Sequence, residues 1–492
     1  MPGPDTHRKP RSVAPRNTAG EPSLPGSGNC DDGGRVGVNA GDTAWVLVSA
    51  ALVMVMTPGL AFFYGGMTRS KSVLNMLMMS TVCLAVVSVL WALYGYSWAF
   101  RNDVGGGLIG GGEFAGLANT VGAMVGVGSD SAPWPGTDAL PAPAFVMFQL
   151  MFAVITPALI SGAVADRTKF WGWTAFVVLW VTIVYFPVAH WVFAFDGFTG
   201  PDNVGGWIAN TLKAEDFAGG TAVHINAGAA ALALAIVLGK RRGWPREPMR
   251  PHNLPFVLLG MALLWFGWFG FNAGSALSAG DLAATAFTNT MLATATALIG
   301  WLLVEQVRDG HPTTLGAASG AVAGLVAITP ACGFVQPVGA LAIGLIAGAV
   351  CALAVGLKFR FGLDDSLDVV GVHLVGGIVG TLLIGFFGDN SVNSAAAGDN
   401  GLFYGGGLVQ LGRQALAAGA VLLYSFIVAL VLGYLIKVTI GFRIDEENEA
   451  TGIDETEHAE TAYDFSSLGS RALAGASRPA TPATREPVGE SR

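Results

Sequence analysis

Charge is what this sequence has least of: Asp, Glu, Lys and Arg make up 12% of its 492 residues, while 52% are hydrophobic. A soluble domain carries roughly 25% charged residues, so the shortage excludes a solvated enzyme and points to a chain immersed in lipid. The net charge of −8 names no partner, because the charges lie in loops and at the two ends, and no basic block marks a nucleic-acid surface. Cysteine is nearly absent as well. Cys30, Cys83, Cys332 and Cys351 are scattered, three of them at or within apolar stretches, so neither a disulfide framework nor a metal site is expected. The first 41 residues also lack the apolar core of a signal peptide.

What fills the chain instead is long apolar runs. Crossing about 30 Å of hydrocarbon takes about 20 apolar residues in a helix. Eleven such runs occur, near 42–64, 72–99, 142–165, 170–194, 217–239, 254–275, 282–304, 313–329, 336–357, 369–388 and 414–436. The expected fold is therefore an all-α membrane protein with eleven transmembrane helices in a lipid bilayer and its termini on opposite sides. Lys and Arg collect in cytoplasmic connections. With the N-terminus outside, the inward connections carry 14 of them, from Arg69 to Arg443, and the outward ones three, Arg101, Lys213 and Arg413. This asymmetry selects an N-out, C-in, multi-pass protein of the cell membrane. Residues 1–41 run against it, since five basic residues of that Pro-, Gly- and Arg-rich tail then lie outside. Four regions follow: a disordered tail over 1–41, one transmembrane domain over 42–436, a charged cytoplasmic segment over 437–464, and a disordered C-terminus over 465–492, whose Ser, Ala, Pro and Arg show no period.

The span interiors hold no Asp, Glu, Lys or Arg, and their ionisable groups other than thiols and phenols are His190, His224 and His373. A titratable group in hydrocarbon is costly and usually faces a pathway or a partner. His190 closes the fourth run and reads as interfacial. The other two share a pattern: Asp216 precedes His224 by eight residues in the fifth run, and Asp365 precedes His373 by eight in the tenth. Those runs point in opposite directions. An inverted five-helix repeat plus a final long helix leaves such a trace, and the transport site of folds built this way lies near the midplane where the halves meet. At about 1.5 Å rise per residue, eight residues below an interfacial Asp is about 12 Å deep. From the two faces of a core of about 30 Å, that leaves roughly 6 Å between the imidazole levels. A lone buried His on an apolar helix is more often a satisfied packing residue than a functional one. The matching interval on inverted helices shifts the reading toward a pair that exchanges hydrogen bonds, or a proton, while neutral.

Asp216 and Asp365 read as N-caps, together with Asp364 and Asp368; Asp216 also reads as a carboxylate beneath a vestibule, adding field for a cation. Phe148 and Phe152 in "FVMFQLMFAVIT" and Trp268, Phe269 and Phe271 in "GWFGFNAGS" serve packing or, if they face a lumen, bind a small cation through their rings and close a dry gate. Ser275 in the same stretch offers a hydroxyl to an N–H donor. The 69 glycines fit close helix contacts around a narrow path.

Taken together, "TPGLAFFYGGMTRSKSVLNMLMMS", "DFAGGTAVHINAGAAALALAIVLGKR", "WFGFNAGSA" and "DDSLDVVGVHLVGGIVG" resemble the ammonium transporter (Amt) family, relatives of the Rhesus proteins, over essentially all of 42–464. The resemblance implies a homotrimer with one narrow hydrophobic pore per subunit that takes up ammonium or ammonia, with neither enzyme chemistry nor a cofactor. It makes His224 and His373 the twin pore histidines and Phe152 and Phe271 the stacked outer gate. Ser275 becomes the outer-site hydroxyl with Asp216 beneath it, and Phe148, Trp268 and Asp365 support them. It also makes 437–464 a regulatory tail that couples subunits and lets a PII-type signalling protein dock. The chain departs from the family at one point. The outer-site tryptophan that follows a "PVAHWV"-like run is replaced by Phe193, which loses the indole N–H and offers a cation the weaker face. An insertion of about eleven residues comes next, and Trp207, just beyond it, is the candidate substitute. Two further readings stay open: an ammonium sensor signalling through its tail, and an electron carrier whose two histidines hold haem.

Overall fold

The computed structural model describes residues 37–126, 139–393 and 395–463; Cys30 and the disorder expected of 1–36 and 465–492 lie outside the described residues. Contacts divide the chain into Met1–Gly37, of which only Gly37 is described, and Val38–Arg492. The second unit is mostly helical. Its helical segments are α1 (Ala40–Met67), α2 (Val73–Phe100), α3 (Ala142–Val164), α4 (Phe170–Phe193), α5 (Gly220–Leu238), α6 (Leu254–Ala276), α7 (Asp281–Asp309), α8 (Thr314–Ile328), α9 (Pro337–Phe361), α10 (Val370–Phe387) and α11 (Val409–Thr439). All but α8, ten in number, are long and apolar enough to cross a membrane by length and composition. The run read as an eighth span is apolar but helical for only 15 residues, about 22 Å at the α-helical rise. Pro330 follows its end and has no N–H with which to carry the helical hydrogen-bond ladder further. Strand is confined, among the described residues, to Met124–Val125 paired antiparallel with Leu140–Pro141.

The starts are written in the sequence. Asn39 and Asn253 accept the N–H of Asp42 and Phe256 at 3.1 and 3.0 Å, and Thr313 accepts that of Gly316 at 2.8 Å. Each satisfies a donor that the first turn leaves open. Pro337 opens α9, where its missing N–H is no loss. α1 lies along α6, α7 along α8 and α9, and α5 along α11. α3 and α5 are almost wholly enclosed, whereas α7, α9 and α11 expose large apolar side chains such as Ile299, Leu345 and Ile427. An apolar exterior of this kind suits lipid.

Charge returns at the opposite end of the bundle from the start of α5. Arg241, after α5, lies between Asp364 and Asp166, with contacts of 2.9 and 3.1 Å. Arg167 donates to the Asp364 carbonyl at 2.6 Å and to Ser366. Asp364 and Asp368 thus do not cap α10 as the sequence suggested. The former holds the two guanidinium groups, and the latter pairs with Lys358 at 2.7 Å. Burial works against the Arg241 charge, but Asp166 and Asp364 more than offset it and hold its pKa above the ordinary value. Arg167, fully enclosed, is pushed down to about 10 by burial, with Asp364 opposing.

The segment after α11 docks on this layer through α12 (Glu446–Thr451) and α13 (Ile453–His458). Asp454 accepts the N–H groups of Leu74 and Asn75 at 3.0 and 2.9 Å, and Glu457 that of Phe170 at 2.9 Å. Two tail carboxylates therefore sit on the starts of α2 and α4, where the helix dipole favours negative charge. Glu449 meets Arg443 at 3.0 Å, Arg69 at 3.6 Å and the Arg242 N–H at 2.7 Å.

Replacing Arg241 by Met leaves Asp166 and Asp364 buried without their shared counter-charge, a loss of about 3–5 kcal/mol. The expected outcome is a clear fall in the unfolding temperature of the detergent-purified protein, which intrinsic fluorescence would follow; an unchanged temperature contradicts the role given to this pair.

Candidate functional site

α5 and α10 begin alike. Each opens with a wide π turn, Gly220–Ile225 and Val370–Leu374, and continues for 13 residues as an α-helix. Each is capped from just upstream. Asp216 accepts the N–H groups of Gly219, Gly220 and Thr221 at 2.8, 2.6 and 2.7 Å, and the Thr221 hydroxyl. Asp365 accepts those of Val369 and Val370 at 3.1 and 2.8 Å. Burial raises the Asp216 carboxyl above its usual range, opposed by Thr221 and these amides; Asp365 is pushed up to about 6 by burial and by Asp368, with Lys358 opposing. π turns are rare and concentrate at functional sites; of the five among the described residues, these two carry a histidine.

The structure brings those histidines together. His224 and His373 are 1% and 3% exposed. Their Nδ1 atoms are 3.3 Å apart, with ring centroids at 5.4 Å and planes inclined by 22°. For two neutral rings this contact demands opposite tautomers, one carrying its proton on Nδ1 and the other on Nε2. His224 Nε2 has no hydrogen-bond partner. The approach depends on a glycine four residues after each histidine. A Cβ on Gly228 would stand 2.5 Å from the Leu374 amide nitrogen and 2.6 Å from its Cα, and one on Gly377 would stand 3.1 Å from the Gly220 carbonyl and 3.2 Å from His224 Cβ.

Beside the start of α5 lies a cavity of about 350 Å³ whose walls include Phe148, Phe152, Phe193, Asp216, Ser275 and Glu215. Phe152 stacks on Phe271 with centroids 4.3 Å apart, and Phe148 and Phe193 meet Phe152 edge-on at 5.0 and 6.4 Å. Phe271 is fully enclosed and lies 6.1 Å from the His224 ring. Trp268 lies parallel to His224 at 5.4 Å and donates its indole N–H to Thr329 at 2.8 Å. On the other side, His373 lines a space of about 10 Å³ with Phe63, Tyr64 and Leu367. Cavity, phenyl pair, imidazole pair and small space thus follow one another. Ser275 donates to the Phe271 carbonyl at 2.9 Å, which leaves its oxygen lone pairs to a visiting N–H.

Trp207 stands apart from this series. It packs on Trp191 at 5.9 Å and against Gly107, and is not among the residues that line the cavity; Phe193 occupies the place alone. Phe269 is absent as well, stacked on Phe287 at 3.9 Å. His190, at the end of α4, is buried within the protein: its Nδ1 donates to the Ala99 carbonyl at 3.0 Å and its Nε2 lies 3.3 Å from Asp103. The sequence reading passed over Glu215, which lines the cavity beside Asp216; its one signal was the doubled carboxylate of "AEDF".

Comparison with known proteins identifies the family. The model of the Ammonium Transporter Family matches residues 44–463. The chain is 64% identical over 442 residues to an ammonium transporter of Mycobacterium tuberculosis, covering 87% of this chain and 91% of that one. It is 48% identical over 424 residues to an ammonium transporter of Bacillus subtilis, covering 86% and 98%. Among solved structures, Saccharomyces cerevisiae Mep2 superposes with a TM-score of 0.75 at 35% identity, over 83% of this chain and 88% of that one.

The unequal space at the two glycines predicts unequal substitutions. Gly228→Ala sets a methyl into backbone atoms that cannot turn aside and costs on the order of 1–3 kcal/mol, whereas Gly377→Ala, with contacts of 3.0 to 3.2 Å, costs less. Thermal unfolding of the two purified variants gives the order, and equal midpoints contradict it.

Proposed function

The chain belongs to the ammonium transporter family, and from that premise we propose the route by which ammonium crosses. The protein is a multi-pass membrane transporter of ammonium; its route is read from the single observation that two buried imidazoles touch at 3.3 Å behind a stacked phenyl pair. The excess of Lys and Arg in the connections remote from the cavity supports setting the cavity outside. There the ring faces of Phe152 and Phe193 and the Ser275 oxygen receive the cation, with the field of Asp216 behind them. A bare cation in an apolar lumen is expensive. The proton therefore leaves before the Phe152–Phe271 gate, and ammonia passes along His224 and His373. No substrate bond other than N–H is broken or made.

In this route the imidazole pair supplies hydrogen bonds that replace those of water. The unpartnered His224 Nε2 is one such group, and with opposed tautomers a proton taken up at the free Nε2 of one ring sends that ring's Nδ1 proton across the Nδ1–Nδ1 contact as another leaves from Nε2 of the second, so both rings end neutral with their tautomers exchanged. The haem reading does not suit the same distance, because no planar macrocycle fits between nitrogens 3.3 Å apart. The same orientation sets α12 and α13 in the cytoplasm. We read them as the regulatory tail of a homotrimer, at which a PII-type protein docks.

Two measurements test the route in proteoliposomes. His224→Leu with His373→Leu is expected to abolish selective uptake of labelled methylammonium, and parental uptake by the double variant removes the imidazoles from the mechanism. If the proton stays behind, an ammonium gradient drives no current. One inward charge per ammonium instead means that the proton follows, by way of the histidines.

A further inference from the structure

Among the carboxylates of the cavity, Glu215 is the one employed by neither the helix cap nor a well-formed hydrogen bond. It is 5% exposed, and the Gly398 backbone lies beside one of its oxygens without making a well-aligned bond to it. Its backbone cannot swing away, because Gln414 of α11 accepts its N–H at 2.7 Å and donates to its carbonyl at 2.7 Å. Asp216 next to it is the opposite case, its oxygens taken up by the amides of the α5 start. A buried acceptor without a well-aligned donor is unfavourable, and a visiting cation bearing several N–H groups relieves it. Phe193, at the same cavity, offers only a ring face.

We propose that Glu215 is a cation-receiving carboxylate of this cavity, accepting N–H bonds from ammonium or a small alkylammonium and supplying an attraction that Phe193 alone does not. The proposal rests on the reading that substrate enters through this cavity. It assigns Glu215 to recruitment, upstream of the Phe152–Phe271 gate, so its removal weakens apparent affinity and leaves the passage step intact.

The charged neighbours fix the pH dependence. Asp216 lies on the same segment, Lys213 and Asp196 line the cavity, and Arg413 of α11 is paired with Asp399 at 2.9 Å. Burial pushes the Glu215 carboxyl up to about 8; Asp399 acts in the same direction, and the Gly398 backbone and Arg413 oppose it. A carboxyl raised in this way gains its charge as pH rises through about 8, so the half-saturating concentration of methylammonium, a cation throughout this interval, falls over the same range.

The test is labelled methylammonium uptake by the full-length protein in proteoliposomes, with KM and Vmax measured between about pH 6.5 and 8.5, an interval spanning the titration. Glu215→Gln is expected to raise KM about tenfold at the alkaline end, the scale of one charge-assisted hydrogen bond, with Vmax within about twofold and the pH slope of KM lost. Unchanged KM and slope overturn the proposal, as does a fall confined to Vmax. Should the Gln variant fail to reach the membrane fraction, Glu215→Asp decides: a retained slope at raised KM supports the proposal, and a lost slope overturns it. Phe152→Ala and Ser275→Ala run alongside. If they shift uptake and Glu215→Gln does not, only the role of Glu215 fails; if none of the three does, entry through this cavity fails.

Discussion

Two helix starts cross so closely that the backbone of one fills the place of a side chain on the other. Gly228 faces the amide of Leu374, and Gly377 faces His224 Cβ and the Gly220 carbonyl. Everything at the centre of the molecule depends on that crossing. The imidazoles reach each other because α5 and α10 are this near. The π turns aim both rings into the seam, and the aspartates satisfy amides that would otherwise be open in a region without water. The crossing is also why the central path is narrow: α3 and α5 are enclosed on nearly all sides, and the phenyl pair and the imidazole pair stand between the cavity and the small space beside Tyr64.

The interval of eight residues between carboxylate and histidine was enough to foresee this meeting, because helical rise converts spacing into depth and both helices start from capped ends. What it could not convey is which partner each carboxylate chooses. "DDSLD" offers three aspartates within five positions, and nothing local distinguishes them. Asp365 caps α10 while Asp364 turns to Arg241, over a hundred residues away in sequence. The partners of His190 were equally out of reach of the sequence: the end of an apolar run does not show that the Asp103 loop folds over it. Trp207 was offered as a stand-in on composition alone, whereas its position is set by Trp191 and by a glycine in the loop after α2. The eighth apolar run, 313–329, was counted as a span because its composition is apolar throughout, although its helix, Thr314–Ile328, is shorter than the others.

Charge is divided in the structure as sharply as in the sequence. One face of the bundle keeps a few carboxylates around a cavity, and the other keeps a connected layer of arginines and acids. In that layer Arg241 binds the connection after α3 to the one after α9, and Glu449 adds the tail to it. Asp454 and Glu457 extend the attachment by capping α2 and α4. A membrane bundle has little hydrophobic drive to hold helix against helix, since lipid is as apolar as leucine. Directional polar contacts at the helix ends, along with close packing at glycine, therefore bear much of the task of fixing helix positions. The tail, in this light, is part of what sets the spacing of the helices it touches.

The replacement of tryptophan by Phe193 shows how the cavity and the seam behind it differ as constraints. At the seam a single methyl meets backbone, so the geometry admits little variation. At the cavity the walls are helix ends and loops together, the floor is a pair of rings, and a cation is attracted by the sum of ring faces, a hydroxyl and nearby carboxylates. Loss of an indole there weakens one contribution by an amount comparable to what one added carboxylate restores, since cation–π contacts are worth about 0.5–2 kcal/mol and a hydrogen bond to a charged group about 1.5–3 kcal/mol. Recruitment can therefore be rebuilt from different residues while the passage behind it stays the same. Glu215, pinned by Gln414 and left without a well-aligned donor, is where this chain has the means to do so.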